Sequence, residues 1–393
     1  MKFHKIIFFI GFIALVFFLF SSGEQTATLN PSIVCETAPT QNDSLEIGVI
    51  TIAGDAMAHK PQTDAAFLSN ENRHDFGRVC EFIRPVLENS DLNILNLETT
   101  LAGEPYKGYP QFSAPDAFAE AFKKAGFHFF VLANNHCADR GNAGAKRTLN
   151  ILKQMNIPSA GVYLDSMDRS QRYPALLYAR NIKIALLNYT YGTNGLILHN
   201  PLSVNYLSDT LQIVKDIEKA KKLKPDVILA LLHWGNEYER QPSKTQKQQA
   251  RFFLSHGVDA IVGSHPHVVQ PFEYFAYDET DSTKKKPVFW SLGNLVSNQR
   301  NEHTDGGILA QLFLSKNQHT GEVKIQHCQG IPYWVYKNTD IHPGYFILPT
   351  YRFFDQSYSF PFTTQDSAAY LQFCFNTDAL FPIRNGKKTP TLP

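Results

Sequence analysis

Five apolar segments of the chain run directly into polar residues of the kinds that bind metal ions or transfer protons. Each segment is a candidate strand, and open α/β sheets gather their ligands at the carboxyl ends of the strands. Because all five junctions carry such residues, we expect them to meet at one sheet edge and form a single site. The junctions are 47–53 into Gly-Asp-Ala-Met-Ala-His (54–59), 92–97 into Glu98, 127–133 into Asn-Asn-His (134–136), 227–232 into His-Trp-Gly (233–235) and 258–262 into Gly-Ser-His-Pro-His (263–267).

The residue types at these junctions indicate metal chemistry. Asp, Glu, Asn and several His suit borderline divalent ions such as Zn²⁺, Mn²⁺ or Fe²⁺, whereas a Ca²⁺ site would use only oxygen ligands. Two such ions, about 3.5–4 Å apart, could hold a bridging hydroxide and clamp the oxygens of a displacement reaction. The pattern therefore predicts metal-assisted hydrolysis.

Each junction taken alone also has an ordinary structural interpretation. Asp55 could cap a backbone amide in a turn, Glu98 could be a solvated loop end, and His233 could be a hydrogen-bonded core histidine. The Asn-Asn-His run is harder to explain in this way, because asparagine is rare in strands and its side chain needs partners. The His-Pro-His run at 265–267 is the strongest signal, since proline stiffens it and an extended segment would fix the directions of two imidazoles.

Strands and helices alternate through most of the chain. Beyond the five segments above, strands are predicted at 182–188 and 288–292, and helices at 77–89, 115–124, 144–155, 207–223 and 245–256. After Gly307 the pattern changes to short alternating segments separated by turn residues, which indicates antiparallel strands closing a second sheet. These segments are 308–314, 322–327 and 333–336. We therefore expect an α/β protein built as a four-layer α/β/β/α sandwich.

The composition limits the class of function. The 393 residues are 43% hydrophobic and contain 37 Lys+Arg against 36 Asp+Glu, so the chain can bury a large core but has no excess of positive charge. Nucleic acid is therefore not an expected partner. The five cysteines show no Cys-x-x-Cys spacing. Cys137, beside the third junction, is either a metal ligand or, the favoured interpretation, a packing residue.

The N-terminus has the pattern of an export signal. Lys2 and Lys5 precede an apolar run at 6–20, whose 15 residues are fewer than the roughly 20 that a spanning helix needs. A cleaved signal is therefore favoured over an uncleaved anchor, and we expect a periplasmic or cell-surface protein, membrane-anchored if the signal stays. The expected organisation is an export signal at 1–23, a flexible linker at 24–44, one folded domain at 45–347 and a C-terminal extension of unknown role at 348–393.

The same residues carry a family resemblance. Six motifs follow in order between 47 and 294: Gly-Asp-x-Met, Asn-Leu-Glu, Ala-Asn-Asn-His, His-Trp-Gly-x-Glu-Tyr, Gly-x-His-Pro-His-x-x-Gln-Pro and Ser-Leu-Gly-Asn. This series resembles the CapA (PgsA-like) family of capsule and poly-γ-glutamate biosynthesis proteins. That family is similar to calcineurin-like metallophosphoesterases, whose strand-end ligands bind two divalent ions. The resemblance therefore implies a metallophosphoesterase-like fold.

The resemblance also implies a role for individual residues. His136 would donate a proton to the leaving group, and Asp139 would orient His136 by accepting from its other ring nitrogen. The alternative for Asp139 is a turn residue before Gly141. Glu98 would be the acid that bridges two ions. The implied metal ligands are Asp55, Glu98, Asn135, His233, His265 and His267.

The sequence departs from the phosphoesterase pattern at two places. The phosphoesterase Asp-x-His is Asp55-Ala56-Met57 here, which removes one imidazole. The bridging acid is a glutamate where an aspartate is usual. His59 or a water could replace the missing imidazole, and one divalent ion is an alternative to two.

The predicted function is that of an exported metal-dependent hydrolase-like protein acting on a cell-envelope polymer, either an anionic polypeptide or a polysaccharide. A membrane-bound synthesis or export complex is the expected partner. The alternatives are a non-catalytic accessory protein that binds the polymer, and a simple phosphatase. Trp234, Glu237 and Tyr238 either line a substrate groove or pack as loop residues, and Asn294 either contacts substrate or forms a turn.

Overall fold

The structure is a computed structural model, which describes residues 45–350, 360–378 and 380. The predicted export signal at 1–23 and linker at 24–44 lie outside the described residues, as do 351–359, 379 and 381–393 of the C-terminal extension. Among the helices of the described part, none is long and apolar enough to cross a membrane.

Eighteen strands and eight helices follow one another along this part of the chain. The strands are β1 (Leu45–Ala56), β2 (Phe67–Leu68), β3 (Arg73–His74), β4 (Leu92–Leu97), β5 (Phe129–Val131), β6 (Ser159–Ala160), β7 (Val162–Tyr163), β8 (Ala175–Ala179), β9 (Ile182–Thr190), β10 (Ser203–Val204), β11 (Val227–His233), β12 (Ala260–Ser264), β13 (Phe272–Ala276), β14 (Lys285–Phe289), β15 (Asn294–Val296), β16 (Gly306–Asn317), β17 (Val323–Lys337) and β18 (Tyr345–Pro349). The helices are α1 (Lys60–Ala65), α2 (Arg84–Glu88), α3 (Asp116–Ala125), α4 (Gly141–Gln154), α5 (Ser166–Arg172), α6 (Thr210–Lys222), α7 (Lys244–Ser255) and α8 (Thr364–Asp378).

Two large sheets each have a set of parallel strands. The first has eight strands, with β18-β17-β16-β1-β4-β5-β6 in order and β15 also paired to β1. In it, β1, β4, β5 and β6 are parallel and β16 to β18 are antiparallel. The second is ordered β13-β14-β12-β11-β9-β8, with its four central strands parallel. Each sheet therefore gathers several carboxyl strand ends at one edge.

Apolar side chains bury both faces of the first sheet. Ile52 and Ile94 belong to a core that also contains residues of the second sheet and of α6 and α7. Leu95, the neighbour of Ile94, belongs to a separate core with Phe118 and Phe122 of α3. Successive residues of a strand point to opposite faces, so one set faces the second sheet and the other faces helices. The layer order confirms the α/β/β/α sandwich.

Local sequence signals position the helices. The Asp209 carboxylate accepts from the Gln212 N–H at the start of α6, and Ser243 forms a reciprocal capping box with Gln246 at the start of α7. Gly126 follows α3 with φ of +113°, a backbone conformation that glycine adopts without strain. These caps fix the ends of helices that the sequence predicted.

The prediction for the strands after Gly307 was wrong in two respects. They do not close a second sheet, because β16 pairs antiparallel with β1 and so extends the first sheet. The segments 322–327 and 333–336 are parts of one strand, β17, whose pairing with β16 continues through Pro332. The pairing covers what would otherwise be an open edge of β1.

The predicted helix at 77–89 is shorter than expected. Residues 77–83 form turns, and α2 begins only at Arg84, with Pro85 in its first turn. At the other end of the chain, α8 packs against β17 and β18 in an aromatic cluster that includes Trp334 and Phe346.

Candidate metal centre

Strand ends from both sheets converge on one site. Asp55 is the next-to-last residue of β1, Glu98 directly follows β4, and His233 is the last residue of β11. The loop with Asn135 follows β5, and the His-Pro-His loop follows β12. Every predicted ligand is buried, with a relative exposure of at most 3%. The structure therefore brings the six predicted ligands together, while their roles stay predictions.

The ligand atoms form two clusters that share Glu98. In the Asp55 cluster, atoms of Asp55, Glu98 and His267 all lie within 4.8 Å of one another. In the His233 cluster, atoms of Glu98, His233 and His265 meet the same limit. Glu98 Oε1 lies 3.5 Å from His233 Nε2 and 3.9 Å from His267 Nε2. The geometry thus offers two adjacent positions for divalent ions with one shared carboxylate.

Glu98 is a buried carboxylate without a hydrogen bond. Neither of its oxygens has a hydrogen-bond partner among the described residues, and the same holds for His265 Nδ1. Burial, followed by the charge of Asp55, raises the pKa of Glu98 well above its usual value. A buried carboxylate costs free energy unless donors or a cation compensate it. The two free oxygens therefore fit an acid that bridges two cations.

Donors from both sheets hold Asp55. Asn96 Nδ2 donates to Asp55 Oδ1 at 2.7 Å, and the His265 N–H donates to Oδ2 at 3.1 Å. His267 Nδ1 lies 3.1 Å from the same oxygen. Burial by itself would raise the pKa of Asp55, but the hydrogen bond from His267 and the charges of His233 and His267 hold it well below its usual range. Asp55 is therefore held in its ionised form.

Asn135 joins the His233 cluster through its amide oxygen. Asn135 Oδ1 lies 2.8 Å from His233 Nε2, so the two atoms face one position. On the other side of the ring, His233 Nδ1 lies 3.0 Å from Ser264 Oγ, a contact that orients the imidazole. Burial lowers the pKa of His233 to about 3, so the imidazole is neutral at neutral pH and can bind a metal ion.

The His-Pro-His loop is bent, contrary to the extended form expected from its sequence. His265 has φ of +98° and His267 has φ of +59°. Residues other than glycine rarely adopt this left-handed backbone conformation, which costs about 1–3 kcal/mol per residue. Those that do adopt it concentrate at functional sites. With this bend, His265 contributes to the His233 cluster and His267 to the Asp55 cluster, and ligand atoms of both also lie within 4.8 Å of Glu237.

His136 and Asp139 form a buried pair beside the clusters. His136 Nδ1 lies 2.8 Å from Asp139 Oδ2, which also accepts from the Phe112 N–H at 2.7 Å. Burial raises the pKa of Asp139, and the hydrogen bond from His136 opposes this rise. Because the Asp139 carboxylate accepts a hydrogen bond from His136 Nδ1, the second ring nitrogen of His136 is left for other chemistry. Asp139 thus stands where the orienting role requires it.

Three residues that the sequence left open as ligands or groove residues have other contacts. His59 does not join the clusters, and its Nδ1 accepts from the Asn298 N–H at 3.3 Å. Cys137 is buried, which raises the pKa of its thiol to about 12 and disfavours the thiolate that a metal needs. Trp234 is fully buried and its Nε1 donates to the Trp290 carbonyl at 3.0 Å, so it packs in the core.

Three half-exposed side chains form the rim of the site. The Tyr191 ring lies 4.4 Å from the His265 ring, and the Tyr238 ring lies 6.3 Å from the His267 ring. Glu237 Oε1 lies 4.0 Å from His267 Nε2. The exposed fractions of Tyr191, Tyr238 and Glu237 are 42%, 44% and 42%. This rim is the solvent-facing part of the site.

Comparison with known proteins assigns the chain to a family. The profile of the family described as Bacterial capsule synthesis protein PGA_cap matches residues 49–299. The chain belongs to this family. The PGA_cap range includes all six predicted ligands together with His136 and Asp139.

Two relatives from Bacillus carry related names. The chain is 30% identical over 294 residues to the capsule biosynthesis protein CapA of Bacillus anthracis, an alignment that covers 71% of this chain and 67% of that protein. It is 28% identical over 246 residues to the PGA biosynthesis protein CapA of Bacillus subtilis, with coverage of 61% and 62%. The match to the second relative therefore spans less than two thirds of that protein.

Solved structures with a similar fold include phosphoesterases. A phosphatase from Mycoplasma pneumoniae has a TM-score of 0.43 at 15% identity, covering 74% of this chain and 94% of its own. The calcineurin-like phosphoesterase YfkN from Bacillus subtilis has a TM-score of 0.43 at 14% identity, covering 74% and 91%.

Sequence reasoning missed Asn96 and Tyr191 at this PGA_cap site, and it named Asn294 without its contact to His267. Asn96 bonds to Asp55, and Asn294 Oδ1 lies 3.1 Å from His267 Nδ1. The sequence did contain a signal for each. Asn96 interrupts an apolar strand, Asn294 begins β15 beside Asp55, and Tyr191 directly follows β9. Asn294 therefore contacts His267, one of the predicted ligands.

Proposed function

We propose that this chain is an exported, metal-dependent hydrolase that cleaves amide or phosphoester bonds in an anionic cell-envelope polymer. The observation that carries the proposal is Glu98, a buried carboxylate with two unpaired oxygens that is shared by two ligand clusters. The names of the two Bacillus relatives, a capsule biosynthesis protein and a PGA biosynthesis protein, support capsule polymer as the substrate class.

The two clusters would hold one or two divalent ions, Zn²⁺, Mn²⁺ or Fe²⁺. Asp55 and His267 would serve one position, His233, His265 and Asn135 the other, and Glu98 both. Bound there, a divalent ion supplies Lewis acidity toward the scissile group and lowers the pKa of water. The protein contributes a dry, fixed arrangement of imidazole, amide and carboxylate groups.

His136 would deliver the proton that the leaving group needs. Its Nδ1 faces Asp139, so the ring is held in one orientation with its other nitrogen available. The ring also packs edge-on against Phe112 at 4.7 Å, which limits its rotation. A fixed imidazole at the buried end of the site is suited to general acid catalysis.

A pair of cations near the site suits an anionic chain. The charged groups of Arg300 and Lys337 lie 5.7 and 5.8 Å from the Tyr345 ring. Lys337 Nζ donates to the Asn298 side chain, and the Asn298 N–H donates to His59 Nδ1. Burial lowers the pKa of His59, and the nearby charges of His267 and Arg300 lower it further. This pair would attract carboxylate or phosphate groups of the polymer toward the site.

Export and partners are part of the proposal. The signal at 1–23 supports a periplasmic or cell-surface location, with membrane attachment if it is not cleaved. A membrane-bound synthesis or export complex would then supply nascent polymer. Fractionation of cells that carry a C-terminally tagged chain tests the location, and recovery of the tag in the cytosol alone would refute export.

Metal content and polymer cleavage test the proposal directly. Elemental analysis of the purified full-length chain should find close to two transition-metal ions, which Glu98→Ala and His265→Ala should remove. Poly-γ-glutamate incubated with the loaded chain should shorten, as followed by size-exclusion chromatography, and His136→Ala should stop this.

The second candidate is a non-catalytic accessory protein that binds the polymer. It is favoured by Met57, which stands where a phosphoesterase carries an imidazole. Tight metal binding without cleavage of polymer, peptide or phosphate ester, together with unchanged envelope polymer in cells carrying His136→Ala, would establish this role. Turnover of a chromogenic phosphate ester alone, abolished by His265→Ala, would instead indicate a simple phosphatase.

A further inference from the structure

The Asp55 cluster has fewer nitrogen ligands than the His233 cluster. It contains one imidazole, from His267, and two carboxylates. Met57 occupies the position at which a phosphoesterase would supply a second imidazole, and a buried thioether is a poor ligand for borderline divalent ions. An ion in this cluster would therefore need a further ligand from elsewhere in the chain.

Glu237 follows β11 of the second sheet and lies beside His267 of this cluster and His265 of the His233 cluster. Ligand atoms of Glu237, His265 and His267 lie within 4.8 Å of one another, and Glu237 Oε1 is 4.0 Å from His267 Nε2. Within the described part of the chain, Glu237 forms no ion pair with lysine or arginine, so its charge is not neutralised by a fixed cation. It also adds to the negative charge felt by Glu98.

The backbone holds Glu237 in this position. Gly235 has φ of +88°, and a Cβ there would approach the Gln246 side chain to 2.7 Å. Tyr238 has φ of +67°, and its N–H donates to the Pro266 carbonyl at 2.8 Å. The loop that carries Glu237 is therefore tied directly to the His-Pro-His loop, and such strained positions persist where the surrounding structure fixes them.

We infer that Glu237 is a metal ligand of the Asp55 cluster. It replaces the imidazole that a phosphoesterase supplies at the position of Met57. The inference rests on the proposed function only in that the site binds a divalent ion. Carboxylates and imidazoles together form a typical ligand set for Zn²⁺ and Mn²⁺. A third carboxylate, beside Asp55 and Glu98, also offsets more of the positive charge of two divalent ions.

Metal titration of the full-length chain tests this assignment without any substrate. Isothermal titration of the metal-free protein with Mn²⁺ and with Zn²⁺ is compared for the wild type and four variants. Asp55→Asn marks the binding event of the Asp55 cluster, and His233→Ala marks that of the His233 cluster. Glu237→Gln is the test, and Glu239→Gln is the matched control, because Glu239 is a neighbouring exposed glutamate outside the clusters.

Glu237→Gln should weaken the same binding event as Asp55→Asn, by about 10- to 100-fold, and leave the event marked by His233→Ala unchanged. When Co²⁺ is bound at that site, its visible absorption in Glu237→Gln should differ from that of the wild type. In Glu239→Gln it should match the wild type. Glu237 is half exposed, so folding of the variant, checked by circular dichroism, should be intact.

Unchanged affinity at the Asp55 cluster in Glu237→Gln would overturn the inference, as would an effect confined to the event marked by His233→Ala. A wild type that binds no ion would overturn both the inference and the proposed function. Ion binding that depends on Glu237 in a chain that cleaves no polymer would support the inference and refute the hydrolase.

Discussion

Replacing Glu98 by glutamine should stabilise the metal-free protein while removing its response to metal. In the structure the carboxylate is 0% exposed and has no hydrogen-bond partner among the described residues. It also lies within 4.8 Å of Asp55, which is ionised. The amide of the variant keeps the shape of the side chain, carries no charge and can donate to Asp55.

The magnitude follows from the cost of a buried group without partners, about 1–3 kcal/mol. For a domain of this size, that corresponds to a rise in Tm of about 2–6 °C in the presence of a chelator. The effect should depend on pH. Because the pKa of Glu98 is raised in the folded protein, the folded chain holds a proton that the unfolded chain releases above about pH 4.3. The stability of the wild type relative to Glu98→Gln should therefore fall as pH rises from about 4 to 7.

Thermal unfolding followed by circular dichroism measures both effects. With Zn²⁺ or Mn²⁺ at 100 times the dissociation constant, the wild type should gain about 2.7 kcal/mol, and the variant should gain little. Exposed Glu239→Gln, the control, should change stability by less than about 0.5 kcal/mol. A metal-free Glu98→Gln variant that is less stable than the wild type at pH 7 would refute the claim that this carboxylate is uncompensated.

Three further predictions follow from contacts in the structure. Asp139→Asn should lower kcat for polymer cleavage by about 10- to 100-fold, with KM unchanged, because it frees the His136 ring. Arg300→Gln combined with Lys337→Gln should raise KM for an anionic polymer and leave kcat unchanged, and the rise in KM should be larger at low salt. The control Lys324→Gln, at the far end of β17, should leave KM unchanged. Arg169→Ala should lower the free energy of unfolding by about 3–5 kcal/mol in urea titrations, because it leaves Asp216 buried without its cation. The exposed control Arg73→Ala should leave the free energy of unfolding nearly unchanged.

The parallel strands and their ligands were predictable because two local signals coincide. An apolar run such as 227–232 reports a strand buried on both faces, and the residue that follows, His233, is polar where the strand leaves the sheet. Repeated five times, this combination located one site, but the expectation of a single sheet edge was wrong, because β1, β4 and β5 belong to the first sheet and β11 and β12 to the second. The general rule for open sheets placed the ligands at one site without any knowledge of strand order.

Strand partners were less predictable than strands. The alternating pattern at 308–314 indicates a half-buried antiparallel strand but does not indicate which sheet it joins. Its partner, β1, lies more than 250 residues earlier, with Leu312 paired to Ile50. Such pairing is decided by which edge is open after the parallel strands have assembled, and a local pattern carries no information about that edge.

The details of the site depend on backbone conformation that residue types do not report. Proline in the His-Pro-His run suggested a stiff, extended segment, but His265 and His267 have left-handed φ values. A bond to a distant group, from the His265 N–H to Asp55, supports this bend. The approach of Glu237 is of the same kind. It depends on the hydrogen bond from the Tyr238 N–H to the Pro266 carbonyl, which joins the loop after β11 to the loop after β12.

Because the two sheets each contribute half of the ligands, metal binding and packing of the sheets must be coupled. Asp55, Glu98 and Asn135 come from the first sheet and the three histidines from the second, and the bonds between them include His267 to Asp55, 212 residues apart in sequence. The unfolded chain cannot bring such distant ligands together without first closing the sandwich. An ion bound at the site therefore stabilises only the packed arrangement of the two sheets, and a cavity opened between them would weaken metal affinity without touching a ligand.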